Sequence, residues 1–187
     1  MKRLVVILAA GLAACAPSGG RTEEPTESVT EIPTTMTTWA SPSPLPPRTR
    51  TPEQQAAEDV VNEYFSSRNA IRKDPLLDVK PLKELVAGPD AQEDVAVLEQ
   101  DRAEGLVQVG DYVSIVTNSV TVSPSEVTVT VCTDASAMDM VKEASHESVL
   151  PKDRNYFTEW RITTKQVEGA WKISDFDTTD TGPCPME

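Results

Sequence analysis

Residues 105–132 read GLVQVGDYVSIVTNSVTVSPSEVTVTVC, and within them the apolar residues settle into a period of two. Val107 and Val109 alternate with polar neighbours, Tyr112 to Thr117 continues an extended run, and Val120 and Val122 prolong it. Pro124-Ser125-Glu126 supplies a turn. Val127, Val129 and Val131 then alternate with Thr128, Thr130 and Cys132, so the returning strand has one apolar and one partly polar side.

On the N-terminal side of Gly105 the period is helical. Thr51 suits a helix cap, Pro52 the first helical position, and Gln54 stands three residues on as its capping-box partner. Ala57, Val60, Val61, Tyr64 and Phe65 form a one-sided stripe, and Asp74-Pro75 ends the helix. A short second helix is predicted from Pro81 to Val86, stopped by Gly88-Pro89. A third runs from Asp90 to Glu104, with Ala91, Val95, Leu98 and Ala103 inward and Gly105 as its stop. Beyond the quoted stretch, Asp134 to Lys152 is polar and reads as an irregular excursion. Tyr156 to Val167 is a long β run, turned by Glu168-Gly169 into Ala170 to Phe176. Helices first and an antiparallel meander after predict an α+β fold: N-terminal helices packed on a curved, cone-like antiparallel sheet.

The opening helix, the Gly169-Ala170-Trp171-Lys172-Ile173 turn and strand, and the placement of the cysteines resemble the nuclear transport factor 2-like superfamily. That superfamily includes the ketosteroid isomerases and many secreted lipoprotein domains of high-GC Gram-positive bacteria. The resemblance spans about residues 51–180. It implies an apolar cone pocket, for which Tyr64, Tyr112, Trp160 and Trp171 are the candidate lining residues. No residue matches the isomerases' catalytic set one for one. A cystatin-like or pilotin-like α+β domain is the next arrangement.

The N-terminus carries an address. Lys2 and Arg3 precede an apolar run from Leu4 to Leu12, too short to cross a hydrocarbon core of about 30 Å. This pattern reads as a secretory signal. Leu12-Ala13-Ala14-Cys15 resembles the lipobox of bacterial lipoproteins, in which the cysteine sulfur takes diacylglycerol and becomes the first mature residue. The resemblance implies a signal peptide over residues 1–14, acyl chains such as palmitate on Cys15, and a protein anchored to the outer face of the cell membrane without spanning it. From Ala16 to Arg50 the chain is rich in Thr, Pro, Ser and Glu, with Ser41-Pro42-Ser43-Pro44-Leu45-Pro46-Pro47 the clearest part. So little apolar surface does not offset the entropy of ordering, and residues 15–51 read as the lipidated end and a disordered linker. Fully extended, roughly 35 such residues reach on the order of 100 Å. Residues 52–187 form the exported domain.

Assigning Cys15 to lipid leaves Cys132 and Cys184, an even remainder that reads as a disulfide in an oxidising compartment. Losing Lys2 and Arg3 with the signal leaves 15 basic against 30 acidic side chains, a net of about −15. Such a charge argues against nucleic acid and anionic lipid headgroups as partners.

Catalytic chemistry is thin. The single histidine, His146, lies in a polar stretch that reads as an exposed loop. Asp175 and Asp177 share one face of the last strand with Asp180 beyond, a spacing common on solvated edges. There is no Gly-rich phosphate loop and no dinucleotide fingerprint. No catalytic residue, metal or cofactor is assigned. The sequence points to a non-enzymatic interaction or ligand-binding domain of the cell envelope, with an envelope protein or a small apolar ligand as partner. The first alternative is an isomerase-like or hydrolytic enzyme using the cone pocket. The second is a phage- or prophage-encoded surface lipoprotein acting in superinfection exclusion, which no residue selects.

Overall fold

Thr51 starts the first helix, α1 (Pro52–Lys73), as a capping box: its hydroxyl accepts from the Gln54 amide at 3.3 Å, and the Gln54 side chain accepts from the Thr51 amide at 2.9 Å. The computed structural model describes residues 49–185. The signal over 1–14, Cys15 and the linker up to residue 48 lie outside the described residues. Those described fall within one unit, Pro42–Glu187.

The stripe on α1 is buried as its spacing predicts, and it continues past Phe65 through Arg68 to Ile71. Two further helices follow, α2 (Lys80–Leu85) and α3 (Pro89–Ala103). Ala91, Val95 and Leu98 of α3 are buried, but Ala103, expected inward, is exposed, because the helix ends there and turns away through Gly105 at φ 71°. Gly88 sits at the start of α3 directly over the last strand. A Cβ there would lie 1.6 Å from the Ser174 carbonyl oxygen, so only glycine allows this approach.

Six strands follow: β1 (Leu106–Val109), β2 (Val113–Ser123), β3 (Glu126–Asp134), β4 (Asp139–Lys142), β5 (Phe157–Val167) and β6 (Ala170–Asp180). Four of them form an antiparallel sheet in the order β2-β3-β5-β6. Register shifts on β2 at Val116/Asn118 and Thr121/Ser123, and between β5 and β6 at Thr163/Thr164, bend the strands and curve the sheet around the helices. The β5–β6 hairpin closes through Glu168 and Gly169, both at positive φ, the conformation a two-residue hairpin turn requires.

Two further expectations are corrected. The stretch Asp134 to Lys152 is not simply irregular, since β4 lies inside it and pairs with β1 as a separate two-stranded sheet. Four residues are too few to announce a strand by alternation, and the partner lies far upstream. Within β1 the expected polarity is reversed: Gln108 is buried while Val109 is 52% exposed. The Gln108 amide donates to the Asn69 side chain and to the Gly110 carbonyl, which satisfies the buried nitrogen.

The core gathers Ala57, Val61, Tyr64 and Phe65 of α1, Leu82 and Leu98 of the other helices, and Val127, Val129, Val131, Ile162 and Ile173 of the sheet. Cys132 and Cys184 are joined in a disulfide with their Cα atoms 5.6 Å apart. It ties the C-terminal tail to the buried Cys132 position of β3.

Candidate functional site

The two ends of the sheet differ in what they bury. Near the β2–β3 turn the inward residues are aliphatic apart from Thr164, whose hydroxyl donates to the Val127 carbonyl at 2.9 Å. Toward the exit of β3 they become aromatic and then polar: Val131 stands opposite Trp160, and Thr133 opposite Thr158. The second half of α1 lies over this end, as shown by the Tyr112 hydroxyl donating to the Phe65 carbonyl at 2.7 Å.

An aromatic tier separates the two chemistries. Phe65 meets Trp160 edge to face at 5.4 Å and Tyr112 at 6.2 Å, while Phe176 meets Tyr64 at 5.5 Å and Trp160 at 5.7 Å. The Trp160 indole N–H donates to the Thr133 hydroxyl at 3.0 Å.

Above this tier lies an ion cluster. Arg68 grips Asp94 of α3 with two hydrogen bonds, Nε to Oδ2 at 2.9 Å and a terminal nitrogen to Oδ1 at 3.0 Å. The Tyr64 hydroxyl donates to the same carboxylate. Burial opposes the Asp94 charge, but the Arg68 guanidinium and the hydrogen bonds donated by Arg68 and Tyr64 more than offset it and hold its pKa below the usual carboxylate range. Burial likewise opposes the Arg68 cation, and Asp94 reverses the balance and raises its pKa. The Tyr64 hydroxyl is pushed up by burial and then by the Asp94 charge.

Arg72, one turn further along α1, is held more loosely. One terminal nitrogen donates to Asp101 at 3.2 Å, the other reaches the Met140 sulfur at 4.0 Å, and the buried Nε finds no protein acceptor. Burial, and then the nearby Arg68 cation, lower its pKa from the ordinary guanidinium value.

Between these groups lies a cavity of about 190 Å³. Arg68, Arg72, Tyr112, Thr133, Met138 and Trp160 are on its wall. Of the four expected pocket residues, Tyr112 and Trp160 thus meet at one cavity. Tyr64 is fully buried and is not on its wall. Trp171 is elsewhere: it stands opposite Gln166, six residues along β5 from Trp160, which at 3.3 Å per residue is roughly 20 Å.

The other singled-out residues are exposed. His146 occupies a surface turn at φ 56°. Asp175, Asp177 and Asp180 face solvent, and the exposed Asp90 shares a hydrogen bond with Asp175 that raises its pKa. Among the described residues no group of three or more His, Cys, Asp or Glu is arranged to hold a metal.

Sequence reading missed Arg68, Arg72 and Asp94. The signal was present: charges at 68 and 72 extend the stripe of 57, 61 and 65, and Asp94 stands three residues after the inward Ala91. A charge on an apolar helix face is a buried charge in need of a partner.

What the cluster offers chemically is anchored cations and aromatic faces. A general base needs a free lone pair and a pKa near the working pH. Asp94 has neither.

No protein-family model matches the chain, and no curated protein matches it. Solved structures do. The intermembrane space region of the chloroplast protein ARC6 superposes with a TM-score of 0.52 at 14% identity, covering 72% of this chain and 100% of that one. A ketosteroid isomerase-like protein from Erwinia carotovora atroseptica SCRI1043 does so at 0.49 and 13% identity, covering 72% and 100%. A type 2 hexachlorocyclohexane dehydrochlorinase, LinA, matches at 0.49 and 9% identity, covering 72% and 92%. Other matches are described as cystatin-like folds. At these identities the likeness is one of fold alone: helices followed by a curved antiparallel sheet.

Proposed function

We propose that this chain is an exported lipoprotein, held by lipid on Cys15 at the extracytoplasmic face of the cell membrane, whose domain over 52–187 binds a ligand or an envelope partner without catalysis. The observation that carries the address is the disulfide. Cys132 and Cys184 use each other, which leaves Cys15 as the third cysteine, placed at the end of a lipobox-like segment. A disulfide of this kind persists in an oxidising compartment outside the cytosol. Among the described residues no helix is long and apolar enough to cross a membrane, so lipid at Cys15 is the anchor this reading relies on.

The non-catalytic part rests on the interior of the cone. Isomerase-like proton transfer needs a carboxylate with a raised pKa facing an open pocket. Among the described residues, the partly buried Asp94 and the buried Glu58 are both engaged. Asp94 is clamped by Arg68 and Tyr64, and Glu58 is paired with Arg50 and accepts from Ser119.

The test expresses the full chain and its Cys15→Ser variant in a bacterium and follows both by fractionation and intact-mass analysis. The expected result is a membrane-bound chain beginning at a diacylated Cys15, and a variant that loses the lipid mass. A soluble wild-type chain with an unmodified Cys15 would overturn the anchor. Chemical conversion of a compound co-purifying with the domain would overturn the non-catalytic reading.

A further inference from the structure

We infer that the cavity between Arg68, Arg72, Tyr112 and Trp160 is a binding site for a small organic anion, a carboxylate on a flat apolar body. The inference rests on the ligand-binding side of the reading above and names the ligand's chemical class.

Three observations carry it. The first is the sign of the wall. The chain has a formal net charge of −13, yet this cavity's wall holds two guanidinium groups and no carboxylate. Asp94 and Asp101, which pair with the two arginines, are outside the wall.

The second is unused donor capacity. A guanidinium carries five N–H donors in a fixed fork. Arg68 spends two on Asp94, but Arg72 spends one on Asp101 at 3.2 Å and a weak one on the Met140 sulfur, and its Nε has no protein acceptor. Two buried cations four residues apart on one helix face repel each other, and an anion beside them relieves that repulsion. A carboxylate suits the planar fork better than a neutral group does.

The third is shape. The remaining wall is mostly aromatic and apolar, Phe65, Tyr112, Trp160, Ala135 and Met138, with Thr133 and Thr158 as its neutral polar members. Arg68 already lies 5.9 Å from the Tyr112 ring centroid and 5.8 Å from that of Trp160, so cation and ring faces share one space. A dry cavity of about 150 Å³ is known to take a benzene ring. The 190 Å³ here fits one ring with a carboxylate.

The experiment uses the mature chain in non-ionic detergent, at fixed ionic strength, titrated with benzoate and with its neutral isostere benzamide. Benzoate should bind at least about tenfold more tightly, as expected when a charge-assisted bond replaces a neutral one. Arg72→Gln should remove that preference, weakening benzoate by more than it weakens benzamide. If Arg72→Gln fails to fold by circular dichroism, Met138→Phe takes its place: by filling the cavity it should abolish binding of both compounds. Equal affinity for the two compounds would overturn the inference, and so would benzoate binding that survives both substitutions. Displacement of benzoate by equimolar inorganic phosphate would also overturn it, because the apolar wall would then contribute nothing. Failure here, with a discrete envelope partner cross-linked to the chain in intact cells, would leave the non-catalytic reading standing. Conversion of benzoate to a product would break that reading and leave the anion class intact.

Discussion

The N-terminal half of α1 and its C-terminal half lie on the same curved sheet, yet they bury different chemistry. The first half places Ala57, Val60 and Val61 toward the aliphatic end of the sheet, where Val127, Val129, Ile162 and Ile173 are fully buried. The second half places Arg68 and Arg72 over Tyr112, Trp160 and Thr133. At the aliphatic end the apolar groups need no particular partner, because burial of apolar area is non-directional; the buried Glu58, held by Arg50 and Ser119, is the exception there. At the polar end each group depends on another's position, and removing one leaves a buried charge uncompensated. One end therefore holds the fold together by volume and the other by geometry. Spare donors such as those of Arg72 arise only at the second.

The widest contrast should come from cutting one residue at the polar end and one in the aliphatic core. Asp94→Asn leaves Arg68 buried without its counter-ion and should cost about 4 kcal/mol in chemical denaturation. Leu82→Ala, at a fully buried aliphatic position, should cost about 3 kcal/mol through the lost transfer energy and the cavity left behind. The pH dependence then tells them apart. Asp94 has a folded-state pKa below its unfolded value of about 3.9, so its contribution is fully present above that value and is lost as pH falls below it, toward the folded pKa. Leu82→Ala should keep the wild-type loss of stability below about pH 4, whereas Asp94→Asn should flatten it. Identical acid limbs in the two variants would mean that the polar end is held by shape, as the aliphatic end is.

The two ends also differed in how far the sequence disclosed them. The start of α1 was legible because Thr51, Pro52 and Gln54 are local signals, and β3 because Val and Thr alternate without interruption. The Arg68–Asp94 pair was not, since its members are 26 residues apart and only the packing of α3 on α1 brings them together. The pairing of β4 with β1 was hidden for the same reason. Trp171 shows the converse error. Its residue type suited a pocket wall, but its register on the β5–β6 hairpin put it near the far turn. Tyr112 and Trp160 came together because β2 and β5 each flank β3, a juxtaposition that no single segment encodes.

The disulfide holds the polar end from outside. Cys132 lies one residue from Thr133 on β3, and the bridge closes a loop with a sequence separation of 52. Replacing both cysteines by alanine should cost about 3 kcal/mol, mainly by freeing the unfolded chain, as read from urea midpoints with and without the bridge. If β3 also needs the tail for its position, benzoate affinity should fall in the same variant. A stability loss without an affinity loss would confine the bridge to the unfolded-state effect and leave the geometry of the polar end to Arg68 and Asp94.

The smallest effect belongs to the aliphatic end of α1. Thr51→Ala removes the hydroxyl that accepts the Gln54 amide and should cost about 1 kcal/mol, while Thr51→Ser should restore most of it. The Gln54 side chain also donates to the Ser119 carbonyl at 2.9 Å, so the cap fixes where the helix begins relative to β2. Residue 51 is 17 positions from Arg68, roughly 25 Å along the helix at 1.5 Å per residue. At that separation the costs of Thr51→Ala and Asp94→Asn should add to within about 0.5 kcal/mol in a double-mutant cycle. A larger coupling energy would mean that α1 shifts as a rigid rod when its cap is lost, carrying Arg68 away from Asp94. The two halves would then be one device, with the geometry of the polar end set at residue 51.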